Sequence, residues 1–227
     1  MSNSQTRQGV KLLINGLESS GKSTVGSKIK DALVIVIDEK PYSFAVPHYK
    51  PTEYTGLVAF GKELGDKINA YIAKYDGPPR TVVVDTVTKF YSNVTKYAND
   101  TERGFDIHNR INLDTMGFNT LIEKMLIQRG VNVVILAHVV YDESTKRFVV
   151  PATGQFAKTG SWMSLVDEAS YLFTDLGRRK IAHNKMGLPN RTTIEGMIEE
   201  ELVEDYDVNK HIEQLENKAL DNADFSL

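Results

Sequence analysis

Gly16-Leu17-Glu18-Ser19-Ser20-Gly21-Lys22-Ser23 spells the pattern G-x-x-x-x-G-K-[ST]. Before it runs a short apolar stretch, Val10 to Ile14, which reads as a buried strand. After it Thr24 to Ala32 carries no proline and supports a helix. Strand, Gly-rich turn and helix in that order make a phosphate-binding loop. Gly16 and Gly21 let the backbone wrap an anion closely, and the loop N–H groups and the helix N-terminus point at it. The expected cradle is Gly16 to Thr24, with Lys22 reaching the β- and γ-phosphates of a nucleoside triphosphate and the Ser23 hydroxyl holding Mg²⁺. This stretch alone predicts a nucleoside-triphosphate site on an α/β scaffold.

Composition is compatible with that scaffold. At 227 residues the chain suits one α/β domain with a full core. It contains no Cys, which excludes disulfides, thiolate metal sites and a Cys nucleophile. The polar start, Met1 to Gly9, lacks an apolar signal-peptide segment. No apolar run approaches the roughly 20 residues needed to span a bilayer. The expectation is a soluble protein of the cytoplasm. The net charge of −3 conceals an asymmetry: residues 199–227 hold ten acidic and two basic side chains, and the other 198 residues carry a net +5. A mildly basic body followed by an acidic tail suits a polyanionic partner and a tail that competes for the same surface, or a tail that only aids solubility.

Further along, Leu33 to Asp38 reads as a second strand ending in acids, and the proline-rich segment 39–55 as irregular. Thr55 to Lys74 has helical apolar spacing. Thr81 to Asp85 and Val131 to Ala137 read as central strands, apolar on both faces. Val87 to Ala98 and Thr115 to Arg129 look helical, with polar residues 99–114 between them. Ala169 to Thr174, Arg179 to His183 and Thr192 to Ile198 look β-like, and 207–220 looks helical. Strands alternating with helices, then a strand-rich end, predict a mostly parallel sheet with an antiparallel edge. An apolar β-run ending in Asp85 is what a second metal element needs, because its carboxylate falls at the strand edge beside the phosphate loop.

The phosphate loop, the TVVVDTVTKF strand at Thr81–Phe90, the strand ending in His138 and the segment Lys180–Asn190 (KIAHNKMGLPN) together resemble the RecA-like ATPases. The layout resembles that of short phage-encoded RecA-core proteins of single-strand annealing and recombination. The resemblance implies a RecA-like P-loop NTPase core over residues 1–198, with a mostly parallel central sheet and antiparallel edge strands, and an acidic tail over 199–227. It implies that Glu39, with Asp38 as the alternative, polarises the attacking water. It implies that His138 senses the γ-phosphate. Lys185, and Arg191 beside it, would reach into a neighbouring subunit's ATP, with His183 replacing the family's first Lys. ATP and Mg²⁺ would then lie at the interface of a homo-oligomer, either filament or ring.

The same resemblance implies two loops facing single-stranded DNA, here about Asn99 to Asn119 and His138 to Ser161. The first offers Arg103 and Arg110 among acids; the second offers Lys146, Arg147, Phe148, Phe156 and Lys158, followed by Trp162. Cations near a backbone plus aromatics that stack on bases suit sequence-tolerant binding. Three rivals stand beside this reading. A small-molecule kinase needs an arginine-rich lid, yet 138–161 contains only Arg147. A GTPase needs Asn-Lys-x-Asp, yet Asn184-Lys185-Met186 is followed by Gly187. The third is a non-hydrolysing module in which ATP only joins DNA-bound subunits.

Overall fold

Apolar runs buried on both faces fill the middle of the sheet, as parallel strands covered by helices require. The computed structural model describes residues 8–38, 41–152, 156 and 162–223. In chain order the first half comprises β1 (Lys11–Gly16), α1 (Lys22–Gly26), β2 (Ala32–Val36), β3 (His48–Tyr49), α2 (Leu57–Tyr75), β4 (Thr81–Asp85) and α3 (Val87–Thr101). The second half comprises α4 (Phe105–Met125), β5 (Asn132–His138), a hairpin of β6 (Val140–Asp142) and β7 (Arg147–Val149), then β8 (Glu168–Asp175), β9 (Arg178–Ala182), β10 (Glu200–Leu202) and α5 (Val208–Ala223). The main sheet has the order β10-β9-β8-β1-β5-β4-β2-β3. Pairing is parallel from β3 through β8, and antiparallel at β8–β9 and β9–β10. This is an α/β fold with a mostly parallel sheet and antiparallel edge strands.

Two cores flank the sheet. On one face α2, α3 and α4 enclose an aromatic cluster in which Phe90 and Phe118 stack at 4.1 Å and Phe118 meets Trp162 edge-on at 5.9 Å. On the other face Leu12, Ile14, Val34, Val83 and Leu136 meet Val25 and Ile29 around α1, and Ile212 and Leu215 of α5. Gly26 lets α1 lie against the sheet, since a Cβ there would come within 3.1 Å of Leu136.

Several expectations change. The helix expected over Thr24 to Ala32 is only Lys22–Gly26, after which the chain unwinds through i→i+3 bonds (Lys28 N–H to Val25 O, 3.1 Å; Ile29 N–H to Gly26 O, 3.3 Å). The span Asn99 to Asn119 is not a loop: α3 continues to Thr101, and α4 begins at Phe105. Its polar residues masked a helical stripe of Ile111, Thr115, Phe118 and Ile122, which is buried. The span from His138 contains the β6–β7 hairpin, while Gly154, Lys158 and Gly160 lie outside the described residues. Thr192 to Ile198 forms no strand; the edge strand is the more acidic Glu200–Leu202.

The acidic segment is built into the body rather than appended to it. Lys180 on β9 pairs across the strands with Glu200 at 3.0 Å, the cross-strand opposite-charge arrangement that stabilises a sheet edge. On α5 the buried Glu216 accepts from Arg80 (2.6 Å) and from Asn132 (2.6 Å), and Asn132 in turn accepts from the Val10 N–H at 3.1 Å. Between sheet and helix lie His183, whose Nε2–H donates to Glu201 at 3.2 Å while its Nδ1 accepts from the Ser170 hydroxyl at 2.9 Å, and His211, bonded to the Tyr206 hydroxyl at 2.8 Å.

Two predictions follow from this packing. Truncation before Glu199 strips the cover from one sheet face, so circular dichroism and urea titration should show loss of cooperative folding rather than a folded, de-repressed protein. Burial lowers the His183 pKa to about 4, and burial together with His183 lowers that of His211 to about 3. Unfolded His titrates near 6.5, so from pH 6.5 down to about 4 the unfolded chain takes up protons that the native chain refuses. Stability should fall with pH across that window, approaching about 2.7 kcal/mol per pH unit for the pair. Urea midpoints at pH 7 and 5 measure the slope, and His211→Asn should roughly halve it.

Candidate functional site

The carboxyl ends of β1, β5, β4 and β8 meet at one edge of the sheet, where open α/β sheets bind ligands. Gly16 lies in register with His138 on one side and Leu172 on the other. A Cβ on Gly16 would fall 2.6 Å from both the Leu172 carbonyl and the Ser20 hydroxyl, so only glycine closes this turn. Gly21 has φ +99°, the left-handed region that glycine occupies without strain. The loop between them curls around Lys22. Its ammonium donates to the Gly16 carbonyl at 3.0 Å, the Leu17 carbonyl at 2.6 Å and the Ser20 hydroxyl at 3.3 Å. Because α1 has only five residues, its dipole adds little; Lys22 and the loop amides dominate the local field.

Asp85 ends β4 in the same layer, opposite Val36 and Leu136, and only 5 % exposed. Burial raises its pKa; the Ser23 hydroxyl, within hydrogen-bonding reach, and the Lys22 charge lower it, while Asp38 raises it further. Lys22, Ser23, Asp38 and Asp85 therefore share one electrostatic neighbourhood. Thr86 caps α3 by accepting from the Lys89 N–H at 3.3 Å, and the His138 N–H donates to the Thr88 hydroxyl at 2.9 Å. These bonds tie the ends of β4 and β5 to the first turn of α3.

The arrangement fits a magnesium-bound triphosphate. Ser23 and Asp85 supply hard oxygen donors next to each other, beside the Lys22 ammonium that the loop encloses. Among the described residues no group of three or more His, Asp or Glu side chains is arranged to hold a metal ion. A cation here would take Ser23, Asp85 and phosphate oxygens as its ligands.

The remaining expected residues divide. His138 stands beside the loop, half-buried, and Asp38 stands beside Asp85. Glu39 lies outside the described residues. Lys185 pairs through its ammonium with Glu200 and sits 5.3 Å over the Phe173 ring. Arg191 lies at the opposite end of β8, bridged to Ala169 and donating to the carbonyls of Met163 (3.2 Å) and Asp167 (3.3 Å). His183 is buried and neutral at pH 7, so it is no replacement for a cationic Lys.

The expected DNA-facing set is corrected in part. Phe156 and Trp162 are packed against each other at 5.1 Å within the core, 1 % and 0 % exposed, and offer bases no face. Phe148 stacks on Tyr171 at 6.0 Å and anchors the hairpin to the sheet. Arg103 donates to the carbonyls of Asn99 and Glu102, capping α3, and Arg110 pairs with Glu102 at 3.0 Å and Asp114 at 3.7 Å. Lys146 and Arg147 are exposed at the hairpin, with Lys146 paired to Glu143 at 3.2 Å.

Two side chains near the site escaped the sequence reading. The Tyr42 hydroxyl, from the proline-rich segment, has its pKa raised by burial and by the Asp85 charge. Arg179 overhangs the loop, with one guanidinium nitrogen 3.5 Å from where a Gly21 Cβ would lie. Nothing in the sequence singles out Arg179 or Tyr42; once β9 is seen to bury Ile181 on the α1 face, side-chain alternation puts Arg179 on that face too. Compared with known proteins, the chain matches no protein-family model and no curated sequence. Among the described residues no helix is long and apolar enough to cross a membrane.

Burial lowers the Lys22 pKa from 10.5 to about 8, against the opposing pull of Asp85 and Glu18. Between those two values the unfolded chain carries a proton that the native chain lacks, so the ligand-free protein should gain stability as pH rises from 8 to 10.5. Lys22→Met should remove that rise and leave stability at pH 7 equal or higher, measured by urea titration at several pH values. A less stable Lys22→Met protein at pH 7 would mean that the three oxygen acceptors outweigh the cost of burial.

Proposed function

We propose that this protein is a RecA-like, Mg²⁺-dependent ATPase that binds single-stranded DNA as an assembly of identical subunits. Its task on this reading is annealing or strand exchange in phage-type recombination, in the cytoplasm of a host cell. The observation that carries the nucleotide part is the meeting of Lys22, Ser23 and Asp85 at the carboxyl edge of a parallel sheet. Bound MgATP supplies a phosphoanhydride whose transfer is catalysed mainly by positioning and charge neutralisation. Lys22 and the Gly16–Thr24 amides would hold the phosphates, Ser23 and Asp85 would hold the metal, and His138 would report the γ-phosphate. Asp38 or Glu39 would orient the attacking water.

Oligomerisation rests on the family resemblance. Lys185 is paired with Glu200 and Arg191 lies at the far end of β8, so on this reading either would act at a neighbouring subunit's nucleotide. The DNA part rests on the family resemblance and on the two exposed cations of the hairpin, Lys146 and Arg147. With Phe148, Phe156 and Trp162 committed to packing, binding of this kind depends on phosphate contacts and weakens steeply with salt.

ATP turnover measured over a range of protein concentrations, with and without single-stranded DNA, tests the proposal. Turnover should rise more steeply than linearly at low protein, increase with DNA, and drop by about 100-fold in Asp85→Asn. Strictly proportional, DNA-independent turnover would remove the shared site. Saturable ATP binding without any turnover would favour ATP as a non-hydrolysed joint between subunits.

A further inference from the structure

We propose that Arg179 is a second cation of the nucleotide site, supplied by the same chain, and that its guanidinium binds the α-phosphate end of the triphosphate. The inference rests on the nucleotide reading above and adds to it a residue outside the phosphate-loop pattern. Side-chain alternation along β9 sets the direction. Ile181 packs into the core on the α1 face and Ala182 into the core on the other. Arg179, two residues before Ile181, therefore projects toward α1 and the phosphate loop, and Lys180 projects away. The close approach to Gly21 follows: a Cβ there would lie 3.5 Å from a terminal nitrogen of Arg179 and 3.8 Å from its Cδ.

Charge pairing sets Arg179 apart from its neighbours. Lys180 is neutralised by Asp175 at 2.9 Å and Glu200 at 3.0 Å, and Lys185 also pairs with Glu200. Among the described residues no carboxylate pairs with Arg179. An unpaired guanidinium above a loop already holding a buried ammonium raises the positive potential where an anion would bind. Its planar fork suits two phosphate oxygens. The backbone beneath it is held on both sides, by pairing with Thr174 on β8 and by the Val203 N–H donating to the Arg179 carbonyl at 3.0 Å.

Sheet order decides which phosphate it meets. β9 lies two strands from β1 on one side, and β4, which carries Asp85, lies two strands from β1 on the other. With the metal-bound end of the phosphate chain at Ser23 and Asp85, its α end would lie on the β9 side of β1. Arg179 consequently serves ATP and ADP alike, and it lets one chain hold nucleotide before any neighbour docks.

Equilibrium binding of MgATP and MgADP to the full-length protein tests this, using Arg179→Ala, Arg179→Lys, Arg178→Ala and Lys22→Ala. Arg179→Ala should weaken both nucleotides by the same factor, about tenfold. Arg179→Lys should fall between it and the parent, Arg178→Ala should bind like the parent, and Lys22→Ala should lose more than any of these. Turnover of Arg179→Ala should show a raised KM with kcat retained. If Arg179→Ala binds like the parent while Lys22→Ala fails, the assignment of Arg179 is wrong and the nucleotide site stands. A loss confined to ATP would put the guanidinium at the γ end and overturn the assignment; an equal loss in Arg178→Ala would reduce it to long-range charge. A parent protein that binds neither nucleotide overturns the site and the Arg179 role together.

Discussion

The ammonium of Lys22 is enclosed by a loop that offers it three oxygen acceptors, none of them charged. A cation buried in this way pays for its desolvation in a lowered pKa, and the carboxylates of Asp85 and Glu18 offset only part of that. Every other feature of the edge is arranged around this constraint. Gly16 has no space for a side chain because the loop must close tightly over β8. Asp85 is kept from approaching more freely by the strand pairing that buries it between Val36 and Leu136. An anion entering the loop would satisfy an ammonium that the folded chain leaves short of negative charge. On the proposed reading that anion is a polyphosphate, and a divalent cation between Ser23 and Asp85 would complete the balance.

The two faces of the sheet solve different packing problems. One carries three long helices and an aromatic core. The other carries only the five-residue α1 from the first half of the chain, leaving Leu12, Val34 and Val83 without sufficient cover. The terminal helix α5 supplies it. Its acids are partly consumed in doing so, since Glu216 serves Arg80 and Asn132, and Glu200 from the edge strand serves Lys180 and Lys185. The charge asymmetry along the chain is thus much smaller in three dimensions. A free polyanionic tail cannot be the same residues that hold a sheet face closed.

Aromatic side chains are the clearest case in which composition misleads. Phe148, Phe156 and Trp162 follow a strand, alternate with cations and glycines, and so carry the signature of a base-stacking loop. Yet the hydrophobic gain from burying a Phe or Trp exceeds what an exposed stacking position returns in the free protein. Phe118 and Tyr171 provide the matching surfaces. What stays outside is Lys146 and Arg147, for which desolvation is expensive.

Read alone, the chain specified its central strands, because runs such as Val82 to Val84 and Val133 to Leu136 have no other way to bury both faces. It also specified the loop from Gly16 to Ser23 and the Asp85 strand end, since those depend on local geometry within a few residues. The first half of α4, from Phe105 to Asp114, was hidden, because its only buried apolar residue is Ile111 among polar neighbours. The neutral, buried state of His183, the Glu200 pairing of Lys185 and the reach of Arg179 to Gly21 were likewise beyond the sequence. Each is set by contact with residues roughly 15 to more than 150 positions away in the chain. Pairing β9 against β8, and α5 against the opposite face, is what brings those residues together, and only the folded sheet decides it.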